Sequence, residues 1–426
     1  MERALVWFRN DLRLADHMPL ASAAKASHLL CAYVVPARFF ATDPLGFPRV
    51  GHRRRQFLAE SLVCLQHELG KQGQHLWLLK GNPAEVLPKL AKDLQAEHIY
   101  AYRYPGTEEL RDEQALERQF PVSWFWGNTL VHPDDLGFEL ARLPKVFTDF
   151  RKKLEAALTI RAPIPVPRLP PPIGNTAAVN DPGALLELEK LSPDPRAVMP
   201  FSGGSVAGHE RLKYYLWESN AIATYHETRN GLLGADYSSK LSPWLALGCL
   251  SPREVYSELK RYEIARVANQ STYWLFFELL WRDFFQWALL RHQSKLFRVS
   301  GILEKRVSWE NDLEAFAKWR CGQTGLPFAD ANLRELAATG WMSNRGRQNV
   351  AAFLAKSLRV NWTWGARWFE SQLIDYDVGS NWGNWNYTSG VGNDPRPNRW
   401  FDVSKQGAMY DPQGTYTARW LNPRQP

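Results

Sequence analysis

Glycine is absent from the first 45 residues of the chain, and Gly46 is the first one met. The first apolar run, ALVWF at 4–8, therefore cannot open a glycine-rich phosphate turn, and neither GxGxxG nor GxxxxGK(S/T) follows any later run. Cysteine is scarce too: Cys31, Cys64, Cys249 and Cys321 stand far apart without a CxxC, which argues against a disulfide framework or a zinc site. No apolar stretch approaches the roughly 18 uninterrupted residues of a membrane span. The opening MERALVWFRNDLRL meets charge before an apolar run can build, so no signal peptide is expected. Nor does the sequence offer a Ser–His–Asp or metal-ligand constellation. The expectation is a cytoplasmic, monomeric protein with reduced thiols and no membrane partner.

What the chain does hold is unevenly spread. Residues 201–426 carry 27 Lys+Arg against 21 Asp+Glu, whereas 1–130 carry 16 against 14 and 131–200 balance at 9 and 9. Thirteen of the 19 tryptophans lie at or after Trp274. Basic charge together with flat aromatics suits a partner made of planar rings and phosphates.

Length predicts about two domains. Runs at 4–8, 29–35, 75–80, 98–103 and 123–127 read as strands, alternating with helical patterns at 18–27, 52–70, 83–95 and 108–119. That alternation predicts an α/β domain over 1–130 with a parallel, Rossmann-like sheet covered on both faces. RAPIPVPRLPPPIG (161–174) holds six prolines, so 131–200 reads as an extended connector. From 201 to 426 the pattern is all-α. Ser251 and Glu254 form a capping box with Pro252 at the first helical position, and periodic stretches follow at 271–292, 309–320, 328–338, 344–358 and 364–375.

Four stretches carry chemistry. Ser238, Ser239, Lys240 and Ser242 precede a helix expected at Pro243, and together read either as an anion cradle or as an ordinary N-cap with a solvated lysine. Glu278, Trp281 and Arg282 share one helical face, as cavity lining or as an internal ion pair. In GWMSNRGRQN (340–349), Asn344 reads as a helix start, with Arg345, Arg347 and Gln348 behind it. IDYDVGSNWGNWNY (374–387) crowds aspartates, asparagines, tryptophans and tyrosines together. Carboxylates in so aromatic a stretch need partners, and Arg347 is the expected one.

In order along the chain, these blocks resemble the photolyase/cryptochrome flavoproteins. NRGRQNVAAFLAKSLRVNWTWGARWFESQLIDYDVGSNWGNWNY is similar to that family's flavin-binding core, WFRNDLRLADH (7–17) to its opening, and YDPQGTYTARWLNP to its closing segment. YHETRNGLLGADYSSKLSPWLALGCLSPRE and NYTSGVGNDPRPNRWF are closest to DASH-type cryptochromes. The resemblance covers essentially the whole chain. It implies FAD inside the helical domain, its phosphates held by Tyr225 and Ser238–Ser239–Lys240–Leu241–Ser242. Asn344, Arg347, Asp375, Asp377 and Asn381 would surround the isoalloxazine, with Arg347 paired to Asp375 and Asn381 facing the redox-active ring nitrogen. Glu278 and Trp281 would face a DNA lesion. Arg282, Arg345 and Arg399 would meet phosphate. Trp385, Trp362 and Trp309 match the family's electron-carrying tryptophan chain; plain packing is the alternative for them.

Two departures stand out. Gln348 and Tyr387 occupy positions where photolyases for duplex DNA carry methionine and tryptophan, as is typical of the DASH group. The resemblance then implies light-driven repair of cyclobutane pyrimidine dimers in single-stranded or looped DNA, with a weaker grip on a dimer flipped from duplex. It also implies a methenyltetrahydrofolate antenna contacted by Glu108 or Glu109 in PGTEELRDE, although acidic residues also collect at helix N-termini for dipole reasons. The rival is a blue-light photoreceptor that binds DNA without repairing it. The chain stops about 40 residues after Trp385, without the long extension of signalling cryptochromes, and that favours the enzyme.

Overall fold

Five parallel strands build the N-terminal part of the computed structural model, which describes residues 2–174, 181–189, 191–396 and 399–422. They are β1 (Arg3–Phe8), β2 (His28–Pro36), β3 (Leu76–Gly81), β4 (His98–Tyr102) and β5 (Val122–Phe125), in the order β3-β2-β1-β4-β5. β1 pairs with β2 from Arg3↔His28 and with β4 from Ala4↔His98. Both faces are covered by the intervening helices, so β1 and β2 are apolar almost throughout: Ala4–Phe8 and Leu29–Val35 are all buried. The expected α/β class and Rossmann-like sheet are what the chain forms. Chain order reverses at β1, and in such sheets the crevice beyond the carboxyl ends at the reversal is where ligands sit.

The connector is less bare than expected. Residues 175–180 and 190 lie outside the described residues, but Phe147–Glu155 is a helix that buries Phe147, Phe150 and Leu154. The proline-rich stretch is extended, and it adds one parallel bridge, Leu29↔Pro172, beside the start of β2.

Beyond it lie helices, including Pro252–Ala265, whose predicted capping box forms: Arg253 N donates to Ser251 Oγ and Ser251 N donates to Glu254. Three boundaries differ from expectation. The helix placed at 309–320 starts only at Leu313, because Asp312 accepts from Ala315 N and caps it there, so Trp309 sits in a loop. The run 344–358 is an α-helix to Ala352 followed by one π-turn, Phe353–Ser357. The run 364–375 shifts to Trp362–Gln372, since Asn361 caps it by accepting from Thr363 N.

The opening motif 7–17 joins the two parts. Arg13 donates to Gly248 O at 2.9 Å, Leu12 N donates to Leu247 O at 3.1 Å, and Asp16 takes Arg253 in a fully buried ion pair at 2.7 Å. Charges so deeply buried stand only when paired, which explains why the motif is so polar.

Candidate functional site

The Ser238–Ser242 loop is shaped from behind by Arg211, which donates to the carbonyls of Ala235, Ser238 and Ser239. Lys240 adopts left-handed backbone (φ 55°), donates Nζ to Ala235 O at 2.8 Å, and lies over the Tyr237 ring. No carboxylate among the described residues pairs with it. Burial, with Arg211 adding to it, lowers its pKa to about 6. The following helix, Ser242–Ala246, is only five residues long and has no side-chain cap, so the cradle rests on the loop and its lysine rather than on a helix dipole. Tyr225, Ser238, Ser239, Lys240, Leu241 and Ser242 all line one cavity of about 260 Å³.

Asp375 faces the same cavity. Arg347 reaches its Oδ2 at 2.9 Å and Ser242 Oγ donates to the same oxygen at 2.7 Å, while Oδ1 is buried without a partner. The predicted Arg347–Asp375 pair therefore exists. Asp377 caps the Val378–Ser389 helix through Ser380 N and accepts both its other bonds from Gln286 at 2.7 Å. Asn344 is the first residue of its helix, but the cap is Ser343, which accepts from Gly346 N. Asn344, Arg347, Asp375, Asp377 and Ser380 are shared with a second cavity of about 110 Å³, which Asn381 and Trp385 also line. Asn381 donates Nδ2 to Ala366 O at 3.0 Å, leaving its carbonyl oxygen without a hydrogen bond.

A third cavity, about 570 Å³, opens outward and shares Glu278, Arg282, Asn344 and Ser380 with the first. Glu278 is held through Oε1 by Arg229 at 2.8 Å and by Trp274 Nε1 at 3.1 Å, and burial raises its pKa against the pull of Arg229. Neither partner was picked out from the sequence: Trp274 lies one turn before Glu278 on the same helix, and Arg229 ends the short helix Tyr225–Thr228. Trp281 stacks on Phe147 with ring centres 3.8 Å apart, and Tyr387 meets it edge-on at 5.9 Å.

The three arginines expected to meet phosphate are otherwise engaged. Arg282 turns inward to Asn128 and to Leu245 O. Arg345 donates to Gln348 at 3.0 Å and to Asn230 at 2.8 Å. Arg399 pairs with Asp394 at 3.3 Å and lies over Tyr387. Arg282 nonetheless lines both the first and the third cavity. Arg396 is exposed at the rim, and its guanidinium has no partner among the described residues.

Trp385 is buried against Phe369 and Trp319, and its indole rim lies so close to Gly365 that a Cβ there would strike it. Trp362 is one turn earlier on that helix, fully buried, donating Nε1 to Val299 O at 2.9 Å. Its ring neighbour is Trp382 at 5.9 Å. Trp309 is half-buried and makes no ring contact among the described residues. Burial thus decreases from Trp385 and Trp362 towards Trp309.

Family models decide the broader question. The model described as the FAD-binding domain of DNA photolyase matches residues 274–424, and the one described as DNA photolyase matches 4–171. The chain is 49% identical over 428 residues to cryptochrome DASH of Gloeobacter violaceus, covering 98% of this chain and 85% of that one. Against cryptochrome DASH of a Synechocystis strain it is 50% identical over 432 residues, 98% and 87% of the two chains. This is a photolyase/cryptochrome family protein of the DASH type. The solved Synechocystis cryptochrome superposes with a TM-score of 0.95 at 48% identity, over 99% of this chain and 89% of that one. A class III photolyase from Agrobacterium tumefaciens superposes at 0.86 with 28% identity, over 99% and 86%. The helical part is thus the FAD-binding part of a DASH-type flavoprotein, and its linked cavities fit that cofactor. Among the described residues, Lys240 is buried without a carboxylate partner, Asp375 Oδ1 is buried without a hydrogen bond, and the Asn381 side-chain oxygen accepts none, a donor set that fits an anionic phosphate and a ring with N–H groups.

The crevice at β1 is larger, about 660 Å³, and is lined by Trp7 of β1, Arg9 just after it and Tyr33 of β2, and from the helical part by Glu370, Tyr376 and Trp382. Glu108 is bridged by Arg38 at 2.9 Å and Arg49 at 2.8 Å, which hold its carboxyl below the usual range. Glu109 also lines the crevice but has no ion-pair partner, and burial raises it.

No helix among the described residues is long and apolar enough to cross a membrane.

Proposed function

We propose that this protein uses light to split cyclobutane pyrimidine dimers in single-stranded or looped DNA. The carrying observation is the continuity of the three cavities: a phosphate cradle at Lys240, a ring site at Asn381 and Asp375, and an open chamber walled by Glu278, Trp281 and Tyr387. Reduced FAD, when bound, supplies on excitation the electron that opens the cyclobutane ring and takes it back. The chain's own residues do the rest. Asn381 offers an acceptor to the reduced ring without a proton to give. Glu278, held through Oε1 by Arg229 and Trp274 and with no hydrogen bond to Oε2 among the described residues, accepts from a pyrimidine ring N–H. Trp281 and Tyr387 exclude water and supply apolar faces for the dimer. Trp385, Trp362 and Trp309 carry electrons inward from the surface to renew the reduced state.

Gln348 and Tyr387 give the preference for single strands. Gln348 is occupied by Arg345 and Tyr387 by Arg399, so neither adds a large stacking surface for a base drawn out of duplex. In the β1 crevice, a methenyltetrahydrofolate antenna would be met by Glu109, the carboxylate that Arg38 and Arg49 leave free. The same reading treats 1–130 as the antenna domain, 131–200 as the connector and 201–426 as the flavin domain. Photoreception without repair is the second reading. A dimer-containing single strand, incubated with the reduced holoprotein under blue light and in the dark, separates them: loss of dimers only in light supports repair, and no loss supports photoreception.

A further inference from the structure

Of the 19 tryptophans, Trp400 alone is largely exposed, at 58%. Tryptophan is highly buried on average. This one is also held in place: Nε1 donates to Ser357 Oγ at 3.2 Å, which fixes the indole edge and leaves a face to solvent. Its neighbours in the chain, Arg399 and Phe401, line the outer chamber, as does Arg396. Arg399 is anchored by Asp394, whose side chain is only 2% exposed, so the segment carrying Trp400 is tied to the chamber wall. The half-buried Lys356 precedes Ser357 in the chain and is close enough to Asp394 to feel its charge, and Arg396, at the chamber rim, is exposed with no partner for its guanidinium among the described residues.

We propose that Trp400 is a stacking platform for an unpaired base flanking the dimer, the base carried by the strand as it leaves the chamber past Arg396. A flat, immobilised indole beside cations is what an unstacked nucleotide fits, and stacking of this kind accepts any base because every base has a π-face. In duplex the flanking base is already paired and stacked, so the platform also favours single strands. This inference rests on the repair reading and adds a nucleotide subsite outside the lesion pocket.

The test is dark binding of labelled DNA to the FAD-loaded parent, Trp400→Ala and Trp400→Phe, with equal FAD content and circular dichroism verifying the fold. The ligands are a dimer in a single strand, the same strand undamaged, the dimer strand with abasic sites beside the dimer, and the bare dimer dinucleotide. Trp400→Ala is expected to weaken the intact strand by about 5- to 150-fold, the range for stacking one base. Trp400→Phe should retain most of the affinity. Abasic flanks should bring the parent down to the Trp400→Ala level and change that variant little. The dinucleotide should bind parent and variant alike. Equal binding of the intact strand by parent and Trp400→Ala, or an equal loss with the dinucleotide, overturns the inference while the repair reading stands. A parent that binds dimer-containing and undamaged strands equally overturns both.

Discussion

Lys240 makes FAD affinity depend on pH. Its ammonium is buried near Arg211, donating to Ala235 O at 2.8 Å and to Ser238 Oγ at 3.5 Å over the Tyr237 ring, and its pKa is lowered to about 6. At about pH 8 the cradle of the apoprotein holds a neutral amine, and charging it costs roughly 3 kcal/mol, two units at about 1.36 kcal/mol each. A diphosphate rewards only the charged form. The affinity is therefore complete below pH 6 and falls as pH rises, by close to tenfold per unit at most, until the raised pKa of the complex is passed. The assay is titration of apoprotein with FAD, followed by flavin fluorescence, across this range. Lys240→Arg should flatten the profile, because a guanidinium stays charged. A flat profile in the parent, a slope of opposite sign, or an undiminished slope in Lys240→Arg would refute the reasoning.

Asp375→Ala strands Arg347, whose side chain is only 24% exposed, and should lower stability by about 3 kcal/mol together with FAD retention; thermal melts and flavin content check both. Trp362→Phe keeps a ring but loses the bond to Val299 O, worth about 1 kcal/mol. It should fold and bind FAD yet photoreduce far more slowly with an external thiol in flash photolysis. Glu109→Gln should abolish co-purification of a pterin absorbing in the near ultraviolet, whereas Glu108→Gln should retain it, read from absorption spectra of the two proteins.

Much of the fold was legible because it rests on periodicity. Apolar runs buried on both faces mark the strands, and Ser251 with Glu254 marks a helix start that forms as expected. The boundaries around Trp309 and Phe353 were not legible, since a single cap at Asp312 and a π-turn leave the apolar spacing nearly intact. Of the site, Arg347 with Asp375 could be reasoned out, because a carboxylate among aromatics needs a cation. Glu278 with Arg229 could not. That pair spans 49 positions, and an arginine in a polar loop gives no sign of turning inward. The engagement of Arg282, Arg345 and Arg399 was hidden for the same reason: sequence shows charge, and only packing shows which acceptors its donors already meet.

The most direct measurement is the rate of dimer loss under blue light for one lesion presented in a single strand, in a loop and in intact duplex, each with a dark control. The account predicts repair of the first two in light alone and weak repair of the duplex, with Gln348→Met plus Tyr387→Trp recovering part of the duplex binding. Equal rates on single strand and duplex would contradict the pocket argument, and no light-dependent loss from any of the three would contradict repair itself.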